Sequence, residues 1–124
     1  MGIGIDIVEV NRIEQMAKGH EGFLTRVFTE HEITYCTKKK NQYQHFAARF
    51  AAKESVLKAL GVGWSRNIKW TDVEVVNDSL GKPRINAYGG VKKLMEQKGI
   101  SEILVSLSHV AHYAVASAQL VKGR

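Results

Sequence analysis

The chain opens on an alternation. In GIGIDIVEV, residues 2–10, Ile3, Ile5 and Ile7 fall on one side and Gly4, Asp6 and Val8 on the other, which predicts a β-strand. The period then changes. Asn11 followed by Glu14 has capping-box spacing, and Ile13, Met16 and Ala17 give the helix that follows an apolar side. Phe23, Leu24, Val27 and Phe28 recur at helical spacing, and Thr29 with Glu32 repeats the capping pattern ahead of another helix. The longest helical pattern runs from Gln42 to Leu60, and Gly61 is placed to end it. A loop follows over 61–70. TDVEVVND, 71–78, and PRINAY, 83–88, read as strands joined by the turn in DSLGKP. GVKKLMEQKG, 90–99, is a short helix stopped by Gly99, and SEILVSLSH and HYAVASAQLV close the chain as two more strands. This order predicts an α+β fold, with antiparallel strands packed against one long helix and several short ones.

Composition narrows the picture. At 124 residues, 44% of them apolar, the chain has enough material for one core, so a single domain over 1–124 is expected. No apolar run is long enough to span a bilayer, and the N-terminal stretch has an acid at position 6 and no basic segment, so neither a membrane span nor a signal peptide is expected. The one cysteine, Cys36, cannot bridge within the chain, which suits a reduced, cytoplasmic protein. The net charge of +6 favours an anionic partner: nucleic acid, an acidic protein or a phosphorylated small molecule.

The chemistry begins with a glutamate in an awkward place. On a helical wheel Leu57 falls about 20° to one side of Phe50 and Glu54 about 40° to the other, so Glu54 sits on or at the edge of the apolar face. A carboxylate there must be paired, hydrogen-bonded or neutralised. Three partners qualify: Lys58 one turn on, a base from elsewhere in the chain, or a metal ion. Asp6 raises the same question, because acids are depleted from strands. Two misplaced carboxylates on rigid elements are what a hard cation such as Mg²⁺ needs, with water and phosphate oxygens completing its shell.

At these residues the sequence resembles a known family. GIGIDIVEVNRI at 2–13 and FAARFAAKESVLKALGVG at 46–63 are similar to the holo-acyl-carrier-protein synthases, the small bacterial-type 4′-phosphopantetheinyl transferases. DSLGKP at 78–83, and SLSH at 106–109 followed by HYAVASAQLV, agree in order and spacing. The resemblance implies the 4′-phosphopantetheinyl transferase fold and a Mg²⁺-dependent transfer of 4′-phosphopantetheine from coenzyme A to a serine of apo-acyl carrier protein. Adenosine 3′,5′-bisphosphate is released. It implies a homotrimer with active sites between subunits, and a role in fatty acid biosynthesis. Neither a nucleic-acid nor a membrane partner is expected.

Residue by residue, the resemblance makes Asp6 and Glu54 the metal ligands and Glu54, Lys58 and Asp6 the catalytic group. Lys58 would stabilise or protonate the leaving bisphosphate, and Glu54 would help deprotonate the serine. Arg49, Lys58, Gly61, Gly63, Pro83 and His109 would contact coenzyme A, with Pro83 packed on the nucleotide and His109 near the adenosine 3′-phosphate. Lys53 is a further candidate for phosphate. Arg12, Met16, Phe23 and Arg26 would form a basic surface with an apolar patch for the acidic carrier protein. Two rival readings differ in class. A basic nucleic-acid-binding module would rest on the charge, the lysines at 38–40 and Tyr43, but no helix-turn-helix, zinc-knuckle or RNP-like pattern supports it. A metal-dependent phosphohydrolase would instead release bisphosphate from coenzyme A with no carrier protein present.

Overall fold

The N-terminal alternation folds as a strand, β1 (Ile3–Glu9), but with its isoleucines turned outward. Gly4 and Val8 are buried, while Ile3, Ile5 and Ile7 are 76%, 64% and 66% exposed. The reason lies in the long helix α4 (Gln42–Leu60), on which β1 rests. A Cβ at Gly4 would stand 2.0 Å from the Ser55 carbonyl oxygen, and one at Gly2 would stand 2.2 Å from that of Ala59. The glycine side of β1 therefore lies against the backbone of α4, closer than an isoleucine permits. The computed structural model describes residues 2–65 and 67–123.

The remaining elements are α1 (Val10–Gly19), α2 (Phe23–Val27), α3 (Glu30–Thr37), a 3₁₀ turn (Trp70–Asp72), β2 (Val73–Asn77), β3 (Pro83–Ala87), α5 (Gly89–Lys98), β4 (Ile100–His109) and β5 (Tyr113–Lys122). One sheet has the order β1-β5-β4 and the other is the hairpin β2-β3, both antiparallel. The α+β architecture expected from the sequence is the one observed. Gly61, at φ 74°, takes the left-handed conformation that ends α4, and Asp78 closes the β2–β3 turn by accepting from the N–H groups of Leu80 and Lys82, each at 2.9 Å.

Two starts were misplaced by the sequence. The helix expected behind Asn11 begins at Val10, with Glu9 at its N-cap and no side-chain cap bond. The Val10 N–H donates to the His112 carbonyl at 2.9 Å, so β5's neighbouring turn does the capping, and Glu14 pairs with Lys18 at 2.7 Å. The strand expected from residue 71 begins at Val73, after the 3₁₀ turn in which Asp72 accepts from the Lys69 N–H. The capping box at Thr29 and Glu32 forms as predicted.

Helix α4 is buried almost all round. Phe46, Ala47, Ala48, Ala51, Ala52, Val56, Leu57 and Leu60 are buried, the first half in one apolar cluster with α1–α3 and the second half in another with β2, α5, β4 and β5. Its four buried alanines between Phe46 and Val56 leave room for close neighbours. Lys53, expected at a surface or near phosphate, is instead fully buried. Its ammonium pairs with the equally buried Glu32 at 2.9 Å and donates to the Trp70 and Val73 carbonyls. Glu32 also accepts from the N–H groups of Thr29 and Val75. Burial lowers the Lys53 pKa from its ordinary value, and Glu32 opposes that shift. Every donor of the ammonium has a partner, so the pair clamps α3, α4 and β2 together.

Candidate active site

The close seat of β1 on α4 delivers Asp6 to the last two turns of the helix. The Lys58 ammonium lies 3.0 Å from Asp6 Oδ1 and 3.1 Å from the Ile5 carbonyl oxygen. Glu54 stands one turn before Lys58 on the same side, about 5–6 Å between Cβ atoms for such a pair. The ion pair that local spacing favoured, Glu54 with Lys58, is thus replaced by Lys58 with Asp6. Glu54 is half-buried, and its Oε1 accepts from the Trp64 indole N–H at 3.2 Å. Asp6, Lys58 and Glu54 form one polar strip, bordered by β1 on one side and by the 61–70 loop on the other.

Among the described residues no group of three or more His, Cys, Asp and Glu side chains stands ready to enclose a metal. The carboxylates of Asp6 and Glu54 are the hard oxygen donors that Mg²⁺ takes, with waters and substrate phosphate oxygens in place of a full protein cage, and Lys58 holds one Asp6 oxygen in this structure. Gly61 is a helix cap: its N–H is spent on the Leu57 and Lys58 carbonyls, which removes it as a phosphate donor. Gly63 is exposed in the loop.

The other expected coenzyme A contacts gather elsewhere. Arg49 lies about 140° around α4 from Glu54 and is buried. Its Nη2 donates to Asn77 Oδ1 at 2.7 Å, its guanidinium covers the Tyr35 ring at 4.2 Å, and its buried Nε has no partner among the described residues. Asn77 faces Pro83 across the hairpin, and Pro83 edges a groove with Lys82, Arg84 and Glu102. Tyr35 meets His45 edge-on, and the His45 ring lies 4.8 Å from that of His109, whose Nδ1 bonds Gln44 Oε1 at 2.8 Å. Pro83, Arg49 and His109 are therefore linked through Asn77, Tyr35 and His45. From Gln44 to Glu54 the helix rises about 15 Å, so this second cluster and the acidic strip occupy different stretches of one subunit.

Residues 2–118 match the family profile of the 4′-phosphopantetheinyl transferase superfamily. The chain belongs to this superfamily. A holo-[acyl-carrier-protein] synthase of Geobacter sp. (strain M21) is 50% identical over 116 residues, covering 93% of each chain. The crystal structure of the holo-[acyl-carrier-protein] synthase from Neisseria meningitidis superposes with TM-score 0.88 at 31% identity, covering 98% of both chains. The Helicobacter pylori holo-[acyl-carrier-protein] synthase in complex with coenzyme A superposes with TM-score 0.83 at 32% identity, over 96% of this chain and 99% of that one. The family, fold and enzyme class read from the motifs are those of these relatives.

In this phosphopantetheinyl transferase the four side chains expected to meet a carrier protein differ in exposure. Arg12 and Arg26 are exposed and Met16 is half-buried against the core. Phe23 is a correction: it is 8% exposed and meets Phe28 edge-on at 6.5 Å, so the ring that looked like a docking patch is core. Sequence reasoning missed three side chains, Trp64 and His45 at the two clusters and Glu32 in the buried pair with Lys53. Trp64 was part of an unassigned loop. Glu32 was read only as a cap. His45 showed no metal-ligand spacing, and nothing in its neighbours along the chain points to His109.

His45 carries a pH prediction. Burial, reinforced by His109, lowers its pKa to about 4 from 6.5. The unfolded chain therefore takes up this proton at higher pH than the folded one. The stability it supports is present above pH 6.5 and is lost as pH falls towards 4. Melting temperatures followed across that window should drop, and His45→Phe should flatten part of the drop. Equal slopes for both chains would reject the assignment.

Proposed function

We propose that this transferase moves 4′-phosphopantetheine from coenzyme A to a serine of apo-acyl carrier protein, with Mg²⁺ held by Asp6 and Glu54. The observation that carries the reading is the meeting of Asp6 with Lys58, one turn from Glu54, although 52 residues separate the first two in the chain. In the reaction the serine oxygen bonds to the β-phosphorus. The bond from that phosphorus to the bridging oxygen breaks, and adenosine 3′,5′-bisphosphate leaves. Bound Mg²⁺ supplies charge neutralisation at the diphosphate. Asp6 orients the Lys58 ammonium, which stabilises or protonates the departing oxygen. Glu54, with one oxygen committed to Trp64, keeps the other to hold the cation and would take the serine proton through an intervening water.

Two features support a homotrimer with shared sites. Ile3, Ile5 and Ile7 form an uncovered ridge on the open face of the sheet, which favours burial against another subunit. The acidic strip and the Arg49–His109 cluster stand apart in one chain, and a neighbour's cluster would complete the strip. His109 would then meet the 3′-phosphate and Pro83 the nucleotide, with Arg49 below them and Gly63 near the diphosphate. A cytoplasmic place in fatty acid biosynthesis accords with Cys36, whose buried thiol is pushed up to about 12 and stays unreactive. No helix among the described residues is long and apolar enough to cross a membrane.

The test is the mass of the carrier. Purified protein, coenzyme A, Mg²⁺ and apo-acyl carrier protein should yield carrier heavier by one phosphopantetheine. Bisphosphate released without carrier would favour hydrolysis, and an unmodified carrier beside salt-sensitive DNA or RNA binding would favour the nucleic-acid module. The docking surface is reduced to Arg12, Met16 and Arg26. Arg12→Glu should raise the carrier KM about tenfold and leave the coenzyme A KM unchanged, because charge steering acts on the acidic partner. Equal loss of both would place the surface elsewhere.

A further inference from the structure

Among the described residues of the loop at 61–70, Trp64 ties the loop to the acidic strip. Trp64 donates its indole N–H to Glu54 Oε1 at 3.2 Å, and its ring stacks on Trp70 with centroids 3.9 Å apart and planes 25° apart. Trp70 in turn stacks on Phe50 at 5.0 Å, again at 25°. Phe50 lies one helical turn before Glu54 on the apolar side of α4. The three rings therefore form a continuous stack whose inner end is anchored on α4 and whose outer end holds a carboxylate of the same helix.

Holding that carboxylate matters because of its alternatives. Glu54 has three rotatable side-chain bonds and is half-buried. Lys58, the cation one turn on along the same side of the helix, is taken by Asp6. Free of Trp64, Glu54 would swing towards Lys58 and compete with Asp6 for it, and the strip would close on itself. With the indole engaged, one oxygen is pinned and the other stays available. A flat ring fixed by stacking is a rigid donor, and among the described residues its N–H is given to Glu54 alone.

We propose that Trp64 is a positioning residue of the active site: its indole N–H fixes the Glu54 carboxylate in the rotamer that receives the metal. The inference rests on the reading of Asp6 and Glu54 as the Mg²⁺ ligands. It also couples the loop to the strip, since displacement of the loop releases Glu54.

The experiment has an activity arm and a spectroscopic arm. Trp64→Phe keeps a ring for Trp70 and removes the donor. Its Mg²⁺ concentration for half-maximal transfer should rise about tenfold, with excess Mg²⁺ restoring most of the wild-type kcat and the coenzyme A KM staying within about twofold. An unchanged Mg²⁺ requirement overturns the proposal. The second arm needs no turnover. Trp64 and Trp70 are the chain's two tryptophans, and their close stacking gives coupled near-ultraviolet circular dichroism. Glu54→Gln retains an acceptor and should keep that signal, whereas Glu54→Leu should diminish it. A wild-type signal in Glu54→Leu overturns the proposal even if Trp64→Phe fails to fold. If the wild-type enzyme transfers without any divalent cation, the metal reading fails with it. Metal-dependent wild-type transfer beside an indifferent Trp64→Phe rejects the positioning role alone.

Discussion

Glu54→Gln is expected to lower turnover at least about 100-fold and to leave a folded protein. The substitution is nearly isosteric. The amide oxygen still accepts from the Trp64 indole, and α4 keeps the packing of Phe46, Leu57 and Leu60 that holds it in place. What disappears is a negative charge where we place the cation, and with it a group able to take the serine proton. Far-ultraviolet circular dichroism and a melting temperature within a few degrees of wild type would establish that the fold survives. Single-turnover transfer to apo-carrier would then measure the loss. A folded variant with wild-type turnover rejects the role of Glu54, however well the remaining strip is formed.

The second large effect concerns stability. Lys53→Met is expected to cost about 3–5 kcal/mol, because it leaves the Glu32 carboxylate buried without its cation. Glu32 is fully enclosed, and its two backbone donors, Thr29 and Val75, only partly compensate a full charge. The physical cause is separable from simple loss of packing. In Glu32→Gln/Lys53→Met both charges are gone while an amide oxygen still accepts in the capping box. The double variant should therefore be more stable than Lys53→Met alone, a non-additivity that urea unfolding resolves. A loss below about 1 kcal/mol for the single variant would contradict the buried pair.

The long helix, its capping Gly61 and the Gly99 that ends α5 were legible because their signals are local. Periodicity needs no partner, and Gly61 and Gly99 are required by the left-handed conformation at a helix end. Asp6 and Glu54 were legible as misfits, acids where the pattern wanted apolar residues. Which partner each takes was not, since Lys58 satisfies the spacing rule with Glu54 yet bonds Asp6 across the fold. The same limit hid Lys53, whose position on α4 reads as a surface lysine until Glu32 is brought to it from α3. The outward isoleucines of β1 inverted the usual expectation, because two glycines opposite them let a helix backbone approach more closely than any side chain would. Phe23 and Asn11 failed for a related reason. Asn11 was judged by its spacing to Glu14 and Phe23 was carried over from the resemblance, yet each is governed by contacts from elsewhere, Phe28 for the ring and the His112 carbonyl for the helix start.

Strand β1 gives its two sides separate duties, one to Asp6 and one to the isoleucines. Sliding it by a single residue against β5 would exchange them, sending the aspartate outward and pressing an isoleucine on Ser55. Such a copy would forfeit its chemistry and its fit to neighbours in the same stroke. In the trimer we propose, faulty molecules would then be barred from joining sound ones, and association itself would serve as quality control.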